Sequence, residues 1–296
     1  MRTRFVAEVS SNHQRSLERS LEFVDTAARI GCAAVKFQQF RVRELFAPEV
    51  LHLAPRLLAR EAWELPESFH APLSKRARAL GIAYACTPFY RRAVEVLEPW
   101  VDFFKIASYQ MLWTQLLLEV GRTAKPIVLA TGMATLEEIR SAVETLRAAG
   151  CLELELLHCV SAYPTPIEEA NLAAIASLRS EFGCRVGWSD HTVCEDVVRR
   201  AVLRHGASMV EFHLDLDGLG DEYGGGHCWL PAAIQRVIAS CALVPGAQAA
   251  SHPCDGDGIK APRACELLER EWRTDPKDGL RPLLPTRAKL GETRAA

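Results

Sequence analysis

Short apolar runs of the strand type recur eight times along this chain, each followed by a segment with helical spacing, and that rhythm limits the fold more than any other feature. The runs are Phe5–Val9, Ala33–Phe37, Ile82–Cys86, Asp102–Ile106, Pro126–Ala130, Leu154–Cys159, Arg185–Trp188 and Ser208–Phe212. Ser16–Ile30 sets Leu17, Leu21, Val24 and Ala28 at helical spacing, and Gly31 closes it as a C-terminal glycine should. Further helices are expected near Glu67–Leu80, Tyr90–Leu97, Met111–Arg122, Thr135–Ala149, Ala170–Phe182, Cys194–His205 and Pro231–Cys241. Thr135 and Glu138 have the spacing of a capping box. An insertion carrying Pro48, Pro55 and Pro66 separates the second strand from its helix.

Eight β-α units in roughly 240 residues match an α/β (β/α)8 TIM barrel. A doubly wound open sheet would carry Gly-x-Gly-x-x-Gly after its first strand. Val9-Ser10-Ser11-Asn12-His13-Gln14 stands there instead, and Gly224-Gly225-Gly226 opens no helix and reads as a flexible loop. The expected organisation is a barrel over 1–245 and a short irregular tail over 246–296, docked through Trp272 and Leu280–Leu284 because such groups are rarely left in water.

In a barrel the C-terminal strand ends share one mouth. Here they carry Glu8, Lys36 with Gln38, Thr87, Lys105 with Ser108, Thr131, Ser161, Ser189 with His191, and Glu211 with His213. Two lysines among hydroxyls suit a phosphate or carboxylate: lysine supplies point charge and hydroxyls supply directed hydrogen bonds. His191 and His213 close neighbouring runs, and two imidazoles so placed can share one divalent ion. Either histidine alone is more simply a hydrogen-bonded structural residue.

A formal charge of −2 and 49% hydrophobic residues give no basic excess for nucleic acid, and no apolar run is long enough for a membrane. Glu8 interrupts what would be a signal-peptide core, so the chain is expected to be unprocessed and cytoplasmic. The ten cysteines include no Cys-x-x-Cys pair, which disfavours a zinc ribbon, and no disulfide framework is expected. Cys159 and Cys228 lie nearest the polar strand ends; lacking an obvious adjacent base, both read as buried thiols.

These residues fall into motifs: Ala7-Glu8 with Asn12-His13, Val35-Lys36-Phe37-Gln38, Thr87-Pro88-Phe89, Phe104-Lys105-Ile106-Ala107-Ser108, Thr131-Gly132-Met133-Ala134-Thr135, His158-Cys159-Val160-Ser161 with Tyr163-Pro164-Thr165-Pro166, Trp188-Ser189-Asp190-His191-Thr192, and Glu211-Phe212-His213. In that order, over about Phe5 to Val244, the chain resembles the sialic acid synthase family, N-acetylneuraminate synthase and its legionaminate and pseudaminate relatives. The resemblance implies a barrel that condenses phosphoenolpyruvate with an N-acylated amino-sugar aldehyde, giving a nonulosonic acid and phosphate. It implies Glu8, His191 and His213 as catalytic residues, with His191 and His213 holding a divalent metal, Mn2+ before Mg2+ or Co2+. It places Lys36, Gln38, Thr87, Lys105, Ser108, Ser161 and Ser189 on the substrate.

The sequence departs from the family pattern in places. No antifreeze-like domain is expected before Ala296, and Asp221–Trp229 replaces the Pro-Asp-His loop, with Glu222 the candidate substitute for its aspartate. Ala130 and Phe212 stand where a serine and a lysine are common. The loop Gly218–Trp229 and the arginine-bearing tail are expected to cover the mouth, and a barrel-to-barrel homodimer is compatible with the sequence. Two other readings stay open: a Schiff-base lyase on Lys36 or Lys105, and a non-catalytic barrel scaffold.

Overall fold

A computed structural model describes residues 3–242 and 251–295. Strands β1 (Arg4–Glu8), β2 (Ala34–Gln39), β3 (Ala83–Pro88), β4 (Phe103–Ile106), β5 (Ile127–Ala130), β6 (Leu154–Cys159), β7 (Arg185–Asp190) and β8 (Met209–Leu214) pair in parallel in sequence order, and β8 pairs with β1 to close the barrel. The helices between and after them are α1 (Leu17–Arg29), α2 (His70–Ala79), α3 (Arg92–Leu97), α4 (Thr114–Arg122), α5 (Leu136–Ala148), α6 (Ala174–Phe182), α7 (Glu195–Leu203) and α8 (Pro231–Cys241). The fold is the (β/α)8 barrel expected from the sequence. The division expected at 245 falls outside the described residues.

Local chemistry sets the ends of these elements. Ser16 caps α1 by accepting from the Arg19 amide at 3.2 Å. At α5 the capping box forms, with the Glu138 amide donating to Thr135 at 3.2 Å and the Thr135 amide to Glu138 at 2.9 Å. The proline-bearing insertion folds as two short helices, Val42–Leu45 and Pro48–Leu53, and a 3-10 run, Pro55–Trp63. Two features differ from expectation. The glycine run is structured, with Tyr223–Gly225 forming a 3-10 turn that Gly226 ends at φ 77°. Cys228–Trp229 adds a ninth strand, β9, beside β8, too short to leave a periodic signal.

Alternation along the strands builds two separate cores. Inward residues Val6, Ala34, Ala85, Phe103, Val128, Ala130, Leu157, Cys159 and Met209 fill the barrel, while the other face packs a larger core against the helices. The interior is tight enough that Gly187 admits no side chain, since an added Cβ would meet Met209 O at 2.4 Å. Below this layer buried Glu155 pairs with Arg4 and Arg185 and accepts from Ser208 at 2.7 Å. Residues 251–295 lie back on the barrel: Leu172 donates to Cys254 O at 2.8 Å, Trp272 packs edge-on against Phe46, and Arg281 bridges to Phe46. No helix among the described residues is long and apolar enough to cross a membrane.

Candidate active site

A cavity of about 630 Å³ opens at the C-terminal mouth of the barrel. Strand register brings its floor together, because Glu8 pairs across to Lys36 on one side and to His213 on the other. Ser189 likewise lies opposite Glu211. Lys36 forms ion pairs with Glu8 and, at 3.1 Å, with Glu211. Lys105 reaches the same Glu211 at 3.2 Å, and Ser189 donates to it at 3.1 Å. Glu8 also accepts from the Ser10 amide at 2.8 Å and from Gln38 at 2.9 Å.

Two lysines and two carboxylates therefore alternate in a buried layer, where any unmatched charge would be costly. Burial opposes ionisation of Glu211, but Lys105 and Lys36 outweigh it and hold the carboxyl well below the usual range. Burial pushes the Lys36 ammonium down to about 7, against Glu211 and with help from Lys105. The buried Thr87 hydroxyl has no hydrogen-bond partner among the described residues, and Thr87 lines the cavity. Ser108 accepts from the Gly132 amide at 2.8 Å and lines the wall beside Lys105.

The histidines stand together on the opposite side. Asp190 ties down the end of β7, accepting from Trp188 at 3.1 Å, Trp229 at 2.9 Å and the Thr192 hydroxyl at 2.7 Å. The next residue, His191, has Nδ1 on Val160 O at 2.9 Å. His213 Nδ1 lies 3.1 Å from a Glu222 oxygen, and the two imidazole centroids are 5.3 Å apart. A carbonyl on one Nδ1 and a carboxylate on the other orient the two rings in the manner usual around metal-bound imidazoles.

His227 joins them, its ring 4.8 Å from His213 and its buried Nδ1 without a hydrogen-bond partner among the described residues. Donor atoms of His213, Glu222, His227 and Cys228 all lie within 4.8 Å of one another, a nitrogen, oxygen and sulfur set suited to a divalent transition metal. Burial holds His213 down, to about 4, with Glu222 opposing and His227 and His191 reinforcing. Burial also opposes charge on Glu222, yet His213, His227 and Ser10 keep it well below the ordinary range. Cys159 pairs with His191: burial works against both charges, but the contact lowers the thiol and raises the imidazole.

Of the residues expected at the site, Lys36, Gln38, Thr87, Lys105, Ser108, Ser189, His191 and His213 line this cavity. Glu8 sits one layer beneath, behind Lys36 and Gln38. Ser161 is fully buried behind Gly132, its amide donating to Glu266 at 2.6 Å. No pattern in the sequence assigns a role to Glu211, the central counter-charge, or to His227. Glu222 was expected as a substitute for a sugar-contacting aspartate, and it lies between two histidines. Loop residues Asp221, Glu222, Gly225 and His227, and tail residues Glu269, Trp272 and Arg281, complete the wall.

The sequence model of the NeuB family matches residues 23–246. An uncharacterized protein of Methanocaldococcus jannaschii is 37% identical over 73% of this chain and 63% of its own length. The N,N'-diacetyllegionaminic acid synthase of Campylobacter jejuni is 34% identical over 73% of this chain and 68% of its own. The chain thus spans about two thirds of the length of the curated relatives it matches. The crystal structure of N-acetylneuraminic acid (sialic acid) synthetase from Leptospira borgpetersenii, in complex with citrate, superposes with a TM-score of 0.76 at 26% identity, covering 92% of this chain and 91% of that one.

Proposed function

The chain belongs to the NeuB family, and we propose that it condenses phosphoenolpyruvate with an N-acylated, N-acetylmannosamine-like amino-sugar aldehyde, in a metal-dependent reaction that yields a nonulosonic acid and inorganic phosphate. The observation that carries this reading is the pairing, in one cavity, of a lysine-hydroxyl floor with a histidine-carboxylate donor group. The new carbon-carbon bond joins the methylene of phosphoenolpyruvate to the aldehyde carbon. Water adds at the enol carbon, and phosphate leaves with its bridging oxygen.

Each ammonium has three donors, and Glu8 and Glu211 do not use them all on Lys36 and Lys105. A phosphate or carboxylate entering above them adds a further acceptor, and Thr87, Ser108 and Ser189 supply hydroxyls at its edges. Glu8 and Gln38 fix the Lys36 ammonium from beneath and beside. The donor chemistry of His213, Glu222, His227 and Cys228 fits a divalent ion, and His191, which lies outside that group with its ring 5.3 Å from His213, would complete the site together with His213. When bound, such an ion supplies Lewis-acid polarisation of the aldehyde carbonyl.

The test is phosphate release from phosphoenolpyruvate across a panel of N-acylated mannosamine-type aldehydes, with Mn2+, Mg2+ or Co2+. Release that needs both aldehyde and metal is expected, and none with any pair sinks the reading. Bound Mn2+, measured directly, should vanish in a His191→Ala, His213→Ala double variant and bind about 10–100-fold more weakly in Glu222→Gln. A second reading, an imine-forming lyase, is favoured by the lowered Lys36 amine. Borohydride with pyruvate separates the two, because the condensation forms no trappable lysine adduct.

A further inference from the structure

Arg281 is a cation of the cavity wall that this chemistry leaves unused. Its backbone is fixed on both sides, its amide donating to Leu45 O at 2.8 Å and its carbonyl accepting from Ala47 at 3.0 Å. The guanidinium lies over the Tyr109 ring, 4.1 Å from its centroid, and 5.4 Å from that of Phe89. Among the described residues Nε makes only a long contact to Thr274 Oγ1, 3.4 Å, and the buried Nη2 has no hydrogen-bond partner. The residue is 8% exposed, lines the cavity, and forms no ion pair among the described residues. Its acidic neighbour Glu269 is hydrogen-bonded to the Tyr109 hydroxyl. Arg60, also without an ion pair among the described residues, lies in the same wall over Phe46 and Trp63. Burial lowers Arg281 to about 10, so it remains charged at neutral pH.

A buried guanidinium with an idle N–H is an unmet hydrogen-bonding demand. Its charge has no matched carboxylate either, whereas the floor lysines are balanced two for two by Glu8 and Glu211. Stacking on two rings holds the planar fork in one orientation, which suits bidentate contact with a phosphate or carboxylate. We propose that Arg281, with Arg60 as a second cation, is an oxyanion receptor on the outer wall, taking a phosphate or carboxylate carried by a substrate. This rests on the reading of the cavity as a substrate site and deepens it, because the receptor belongs to the tail rather than to the barrel.

The first measurement is calorimetric binding of inorganic phosphate to the whole chain, which needs no turnover. The lysine floor takes phosphate too, so the Arg281 site is read as a second binding event, which Arg281→Gln should weaken at least tenfold and Arg281→Lys should partly recover by restoring charge. A single phosphate-binding event in the unaltered protein, or a second event in Arg281→Gln within twofold of the unaltered one, overturns the proposal. Steady-state kinetics then assigns the source. A raised KM for a phosphorylated aldehyde but not its neutral counterpart places the oxyanion on the acceptor, and a raised KM for phosphoenolpyruvate places it there. Equal rises for neutral and phosphorylated acceptors, with phosphoenolpyruvate unchanged, would reduce Arg281 to packing and overturn the receptor. Arg281-dependent phosphate binding in a protein that never turns over sinks the condensation reading and leaves the receptor standing.

Discussion

Replacing Glu211 by glutamine tests whether the floor is one electrostatic unit. Glu211 is 3% exposed and touches Lys36, Lys105 and Ser189 at 3.1, 3.2 and 3.1 Å. The substitution keeps the shape and an acceptor for Ser189 but removes the charge. Lys36 keeps Glu8, while Lys105 loses its only ion pair among the described residues. Breaking a buried pair from one side costs about 3–5 kcal/mol, because the orphaned charge stays behind. In a domain of this size that corresponds to a fall in melting temperature of about 10 °C.

Urea unfolding at pH 7, for both proteins, reads this directly. A deficit under about 1 kcal/mol refutes the reasoning.

Two further predictions follow from buried groups. Burial drives His13 and His70 down to about 4, while their unfolded values are near 6.5, so the unfolded state binds more protons in that window. Stability should be full above about pH 6.5 and fall toward pH 4, by about 3 kcal/mol for each of them. His70 is held between Tyr84 at 2.7 Å and Gln39 at 2.8 Å, so His70→Gln should flatten the pH slope by about one proton, and an unchanged slope counts against the assignment. At Gly132 an added Cβ would lie 2.2 Å from Ser161 Oγ and 2.9 Å from Ser108 Oγ. Gly132→Ala should therefore cost about 1–3 kcal/mol and displace Ser108 from the wall, raising KM for phosphoenolpyruvate. Adding Ser161→Ala should restore most of the melting temperature, and a single variant that melts like the unaltered protein defeats the argument.

The barrel was legible because each strand and most helices carry their own period, and glycines such as Gly31, Gly81 and Gly150 mark helix ends at positive φ. The floor was legible for the same reason: a barrel maps every strand end to one mouth, so Lys36, Lys105, Ser189 and His213 could be placed by counting. Glu211 was visible at its strand end, but only strand register reveals that two lysines converge on it. His227 and the orientation of Glu222 were out of reach, since they depend on how an aperiodic glycine-rich loop folds back across the mouth. Arg281 reaches the cavity through a single bridge to Phe46, a pairing that no local pattern encodes.

The docking of residues 260–287 also has a consequence for biosynthesis. Buried Glu266 accepts from the amides of Met133 at 2.7 Å and Ser161 at 2.6 Å, and Lys260 reaches Cys159 O at 3.3 Å. Domains fold as the chain leaves the ribosome, N-terminal parts first. A nascent barrel translated only through β9 already has all nine strands of the described residues, yet the backbone amides of Met133 and Ser161, beyond β5 and β6, still lack their carboxylate. The contacts that Glu266 and Arg281 bring to the mouth are thus separated in time from synthesis of the barrel strands, and they arrive only when the segment carrying both has emerged.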